Sequence, residues 1–170
     1  KRPVHITETG RLPLSIVIET DGGMVSRIAQ VGDMLPIKCT REFSTGSNST
    51  KTVAFKLYAG ERPLASQNRL IHKTKISGIK VLPQGRPVIT VQFEIDKTCG
   101  ITVNIIDEGS LKKATRKIDN SWLPSEDEIY RLVQEAQNNL EGDNRIRERV
   151  RMIQQAREII FENTCPMTVA

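Results

Sequence analysis

Through the first two thirds of the chain, apolar side chains recur at every second position, the spacing that gathers them on one face of a strand. Leu14, Ile16 and Ile18 form one such set and Val53, Phe55 and Leu57 a second. Ile89, Val91, Phe93 and Ile95 form a third, with Thr90, Gln92 and Glu94 alternating between them. Leu70 to Ile79 and Ile101 to Ile106 supply two further candidates. Turn-forming clusters separate the runs: Asp21-Gly22-Gly23, Val31-Gly32-Asp33, Ser44 to Ser49, Ala59 to Pro63, Pro83-Gln84-Gly85 and Glu108-Gly109-Ser110. The paired glycines at 22 and 23 allow backbone angles closed to other residues. This spacing predicts about eight short strands in an antiparallel β-sandwich. From periodicity alone, a face such as Leu14/Ile16/Ile18 can line a sandwich core or an open groove.

At Pro124 the period changes. Ser125 followed by Glu128 has the form of a capping box, which would satisfy two orphan amide donors at a helix start. Ile129, Leu132, Val133, Ala136 and Leu140 follow at helical spacing. Gly142-Asp143 predicts a break, with Asp143 placed to cap what comes next. Ile146, Val150, Ile153 and Ile160 then outline a narrow second stripe, too thin to fold alone, which must dock on something. The expected fold is mainly β with C-terminal helices. It comprises an N-terminal segment or linker over 1–11, the sandwich over 12–123, and a truncated helical segment over 124–170.

Charge refines this picture. The 170 residues carry a net charge of +5. Residues 1–123 hold 19 Lys/Arg against 11 Asp/Glu, and residues 124–170 hold 6 against 9. A basic front half could attract nucleic acid. Aromatics are only 4% of the chain, however, and the lysines are spread among strand positions, so a solvated strand surface is the preferred reading. No run has the length of a membrane helix, and no apolar stretch near the N-terminus marks a signal peptide. The expectation is therefore no nucleic acid and no membrane partner. Cys39, Cys99 and Cys165 are odd in number and lack metal-ligand spacing, which favours free thiols in a reducing compartment. Asn48-Ser49-Thr50 matches the glycosylation acceptor pattern, but a plain polar loop explains it equally.

Catalytic chemistry is hard to find. His5 and His72 sit in no HExxH pattern, and Cys39 has no histidine close in sequence. There is no GxxxxGK(S/T) loop, and Gly22-Gly23 is not a GxGxxG fingerprint. The scattered carboxylates read as surface charge rather than an acid/base pair. The expectation is a binding module with no catalytic residues and no metal site, not an enzyme.

Five segments together resemble the substrate-binding domain of the DnaK-type, seventy-kilodalton heat-shock chaperones. They are Pro13 to Gly23, Phe43-Ser44-Thr45, Gly60 to Ala65, Gly85-Arg86-Pro87 with the strand to Asp96, and Ser125 to Ile129. The resemblance implies a sandwich that grips an extended apolar peptide beneath a helical lid. It implies a peptide pocket lined by Ile16, Ile18, Phe43, Val53, Phe55 and Ile89, with Glu19, Thr20, Ser44 and Thr45 as backbone partners. By the same correspondence, Asp21 and Gly46 stand where the family builds an arch over the peptide, and Asn48 and Gln84 stand where it latches the lid. A carboxylate at 21 is unfavourable in an apolar arch unless it is paired. Two neutral residues at the latch remove ion pairs contributing only about 0–1 kcal/mol each when exposed.

The family's leucine-rich linker is replaced by Ile6 to Arg11, and its nucleotide-binding domain is not among these residues. The expected cofactors are none in this chain, with ATP and Mg in the full-length protein. The expected partners are unfolded or extended peptides, J-domain co-chaperones and nucleotide-exchange factors, and the isolated segment could form dimer contacts. The cytoplasm is the favoured compartment, with the endoplasmic reticulum lumen or mitochondrion as alternatives. The competing expectation is a divergent interaction or regulatory module without general peptide binding.

Overall fold

In the computed structural model, residues 9–44, 52–78 and 87–164 are described. Eight strands are found among them: β1 (Ile16–Glu19), β2 (Val25–Ala29), β3 (Ile37–Ser44), β4 (Thr52–Ala59), β5 (Arg69–Ser77), β6 (Pro87–Ile95), β7 (Ile101–Asp107) and β8 (Lys112–Ile118). Two helices follow, α1 (Glu126–Asn138) and α2 (Leu140–Thr164). The strands form two four-stranded antiparallel sheets, ordered β2-β1-β4-β5 and β3-β6-β7-β8.

Alternation does what it predicts. Along β7 every second residue, Ile101, Val103, Ile105 and Asp107, is buried. The inward set of β6, Ile89 to Ile95, is almost wholly excluded from solvent. These side chains meet Ile16, Ile18, Phe55 and Leu57 of the first sheet in one apolar cluster. Trp122 belongs to that cluster, its Nε1 donating to the Cys99 carbonyl at 3.0 Å. Burial pushes the Cys99 thiol up to about 11.

The run through Leu14, Ile16 and Ile18 becomes a strand only at Ile16. Before it, Leu12 and Leu14 are buried and the backbone is pinned by other means. The Leu12 amide donates to the Asp33 carbonyl, and the Gly32 amide to the Leu12 carbonyl. After β1, Asp21–Gly23 is a single 3-10 turn with Gly22 at φ 76° and Gly23 at φ 73°, which accounts for the paired glycines.

β8 is an edge strand of the second sheet, and Lys112, Lys113, Arg116 and Lys117 on it are all exposed.

Two expectations about the helices need correction. Ser125 does cap α1, accepting from the Glu128 amide, but the Glu128 carboxylate does not return to complete a box. Instead it accepts from Arg69 of β5 at 2.8 Å. The break between helices falls at Asn139, whose φ/ψ of −104°/8° leaves the helical range, and not at Gly142-Asp143. Asp143 lies inside α2 and is buried.

Candidate functional site

Four of the proposed pocket residues, Ile16, Ile18, Phe55 and Ile89, lie together in the apolar cluster, none more than 6% exposed. Phe43 is only half-buried and packs against the cluster's edge. It is the register partner of Ile89 within the second sheet. Its ring also meets Phe55 of the first sheet, with centroids 5.0 Å apart and planes at 62°. That edge-to-face contact spans the two sheets, an arrangement favoured by the positive edge and negative face of aromatic rings. Val53 is placed by its β4 backbone opposite Ile76 of β5.

The proposed backbone partners divide. Ser44 ends β3, opposite Pro87. The Thr20 amide is committed internally, donating to the Met24 carbonyl at 2.8 Å. Glu19 holds its side chain within the first sheet, accepting from Tyr58 Oη at 3.0 Å and pairing with Lys56 Nζ at 3.0 Å. The Lys56 hydrogen bond holds the Glu19 carboxyl below its ordinary range, against the opposing effect of burial. The same bond raises Lys56. Tyr58 is raised by burial first and by Glu19 second. Asp21 lies in the 3-10 turn after β1. Thr45, Gly46, Asn48 and Gln84 lie outside the described residues.

A second constellation, not anticipated from sequence, ties the helices to the sandwich. Arg62, in the loop between β4 and β5, donates to Asp143 of α2 through Nε at 2.5 Å and a terminal nitrogen at 3.0 Å. Both side chains are sequestered, at 11% and 4% exposure. Glu135 of α1 approaches the same guanidinium at 3.9 Å. One residue earlier in the loop, the Glu61 carbonyl accepts from Arg147 of α2 at 2.9 Å. The Glu61 carboxylate reaches the other way, accepting from the Ser15 amide and hydroxyl, both at 2.8 Å. One loop thus joins the start of the sandwich to both helices. Such a bidentate, charge-assisted pair is among the stronger polar contacts available to a protein. Its signal in sequence was only the Gly60 to Pro63 string and an Asp143 read as a helix cap, 81 residues from its partner.

Among the described residues, no group of three or more His, Cys, Asp or Glu is placed to hold a metal ion. The His72 Nε2 is buried with no hydrogen-bond partner, on a strand position opposite Leu57. No described helix is long and apolar enough to cross a membrane.

Comparison with known proteins gives a consistent answer. The family model described as "Hsp70 protein" matches residues 5–168. The iron-sulfur cluster biogenesis chaperone, mitochondrial, of Saccharomyces cerevisiae is 40% identical over 153 residues, covering 89% of this chain and 23% of that protein. Chaperone protein DnaK of Anaplasma marginale is 36% identical over 148 residues, covering 87% and 23% respectively. Heat shock protein hsp-6 of Caenorhabditis elegans is 33% identical over 156 residues, covering 92% and 24%. The chain spans about a quarter of the length of these relatives. The match over residues 5–168, with the three alignments, overturns the expectation that this is not an enzyme. These residues fall within a family of chaperones, and that expectation is withdrawn.

Proposed function

The chain belongs to the Hsp70 family, and on that premise we propose that it acts in chaperoning by gripping extended apolar segments of unfolded polypeptides. The β-sandwich is the grip and the two C-terminal helices are the beginning of a lid over it. One observation carries this reading. Phe43 joins the two sheets through Phe55, pairs in register with Ile89, and keeps partial exposure while its neighbours are buried. An apolar end of the sandwich with one accessible aromatic and flanking strand backbone suits an extended chain. Backbone hydrogen bonds to such a chain are blind to its sequence. One apolar side chain entering beside Val53 would contribute about 1.5–3 kcal/mol when fully buried. Affinity would then be modest and promiscuous.

A fluorescent leucine-rich heptapeptide should bind in the micromolar range. Val53→Phe should fill the pocket and remove that binding with the thermal midpoint preserved. Unchanged affinity in a folded Val53→Phe protein would defeat the assignment.

The near-complete burial of Ile16, Ile18, Phe55 and Ile89 favours a second reading, an interaction module without general peptide binding. Asp21→Met separates the two. A sharp rise in affinity for apolar peptides identifies a groove blunted by one carboxylate, whereas no binding by either form supports the interaction module.

In the whole protein, ATP with Mg, J-domain co-chaperones and nucleotide-exchange factors would control the grip. Among the described residues, no group of three or more His, Cys, Asp or Glu is placed to hold the Mg. One relative is named as mitochondrial, which supports the mitochondrion as a compartment beside the cytoplasm.

A further inference from the structure

A cleft of about 280 Å³ lies between the outer face of the β2-β1-β4-β5 sheet and α2. It is separate from the proposed groove: Val17 lines it, whereas Ile16 and Ile18 point through the opposite face into the core. Val17, Met24, Val25 and Pro63 give it an apolar floor. Arg27, Glu61, Arg62 and Arg147 supply charged walls, three cations against one carboxylate. Asp143 is not among the lining residues.

Most of those charged groups are already engaged. Arg62 is held by Asp143, and the Glu61 carboxylate by Ser15. Arg147 donates to the Glu61 carbonyl and to Asn144. Arg27 differs. It forms a loose ion pair with Glu61 Oε2 at 3.7 Å, beyond hydrogen-bonding distance, and its side chain is 46% exposed. An apolar floor beside a half-exposed guanidinium, held among the described residues by one loose ion pair and no side-chain hydrogen bond, is a site for an amphipathic anion, since Arg donors match planar carboxylates in pairs.

We propose that this cleft binds a small aliphatic carboxylate, its head on Arg27 and its tail over Val17, Met24 and Val25. The nearby Glu61 carboxylate disfavours a dianion such as a phosphate monoester more than it disfavours a singly charged head. Because Arg27 belongs to the sheet and Arg147 to α2, an occupant would bridge the sandwich and the helix and favour the docked helix.

The experiment is a titration of the 170-residue chain with hexanoate, heptanoate and octanoate, followed by methyl NMR. Affinity should rise about fourfold per added methylene, with shifts centred on the Val17 and Val25 methyls. Octanol and octylamine should bind more weakly than octanoate. Arg27→Gln should lower octanoate affinity at least about tenfold, and its amide spectrum shows independently whether it is folded. Octylamine binding as tightly as octanoate would overturn the proposal. So would equal octanoate affinity in a folded Arg27→Gln protein, an absence of binding, or shifts centred on Ile16, Ile18 and Ile89. Peptide binding by the groove is measured separately, so its failure leaves these outcomes unchanged.

Discussion

Asp143→Ala is the most direct test of how the helices are held. The substitution removes both acceptors of the Arg62 guanidinium, which is only 11% exposed, and leaves a sequestered cation. Breaking one partner of a buried pair typically costs 3–5 kcal/mol. Glu135 stands 3.9 Å from Arg62 and is half exposed, so it can recover part of this, and about 3 kcal/mol is the expected loss. The sandwich keeps its ladders and apolar cluster, so the loss should appear as local undocking of α2 rather than global unfolding. Native-state hydrogen exchange reads this directly. Amides of α2 near Arg147 and Val150 should exchange on the order of a hundredfold faster, with those of β6 and β7 unchanged. Arg62→Ala/Asp143→Ala together should be milder than Asp143→Ala alone, because no unpaired buried charge remains. Exchange in α2 within twofold of the parent, or equal acceleration in β6, would refute this account of helix docking.

Three further outcomes follow from the geometry. Glu19 has a depressed carboxyl pKa, so its pairing should stabilise the fold above the ordinary carboxylate range near 4.5 and be lost as pH falls through the lowered value. Glu19→Gln should flatten that part of the acid-unfolding profile while changing neutral stability only slightly, because the Lys56 pair is partly exposed. Trp122→Phe should cost about 1–3 kcal/mol in urea unfolding by leaving the Cys99 carbonyl without its donor. The Cys99 thiol, pushed up to about 11 by burial, should resist thiol reagents at pH 8 until the protein unfolds, whereas half-buried Cys39 should react in the folded state.

Strands were legible wherever one face was apolar and the other wet. β6 and β7 match their predicted runs closely because alternation there records burial on one side only. The same signal overextended β1. Leu12 and Leu14 are buried, but periodicity reports a shared apolar face and not ladder hydrogen bonds, which begin at Ile16. The helix joint was misplaced for a related reason. Gly142 and Asp143 have the composition of a break, but α2 continues through them because Asp143 is satisfied by Arg62 from outside the helix. Glu128 likewise fits a capping box by spacing, but Arg69 claims its carboxylate. Long-range ion pairs leave no periodic trace, so the loop from Gly60 to Pro63 was legible only as a turn. The residues proposed for a groove were legible as an apolar set, and Phe43 stands apart from it only once its exposure and its contact across the sheets are seen.

The cationic edge at β8 bears on how the second sheet stays four strands wide. A sheet with an open edge must avoid being extended along it, since unpaired backbone groups there invite another strand. Lys112, Lys113, Arg116 and Lys117 leave little of β8 uncharged. A second copy aligning there would bring like charges face to face, and an incoming apolar segment would have to strip water from ammonium groups. The strand thus works as a fence: its charges disfavour a further strand along the sheet's flank.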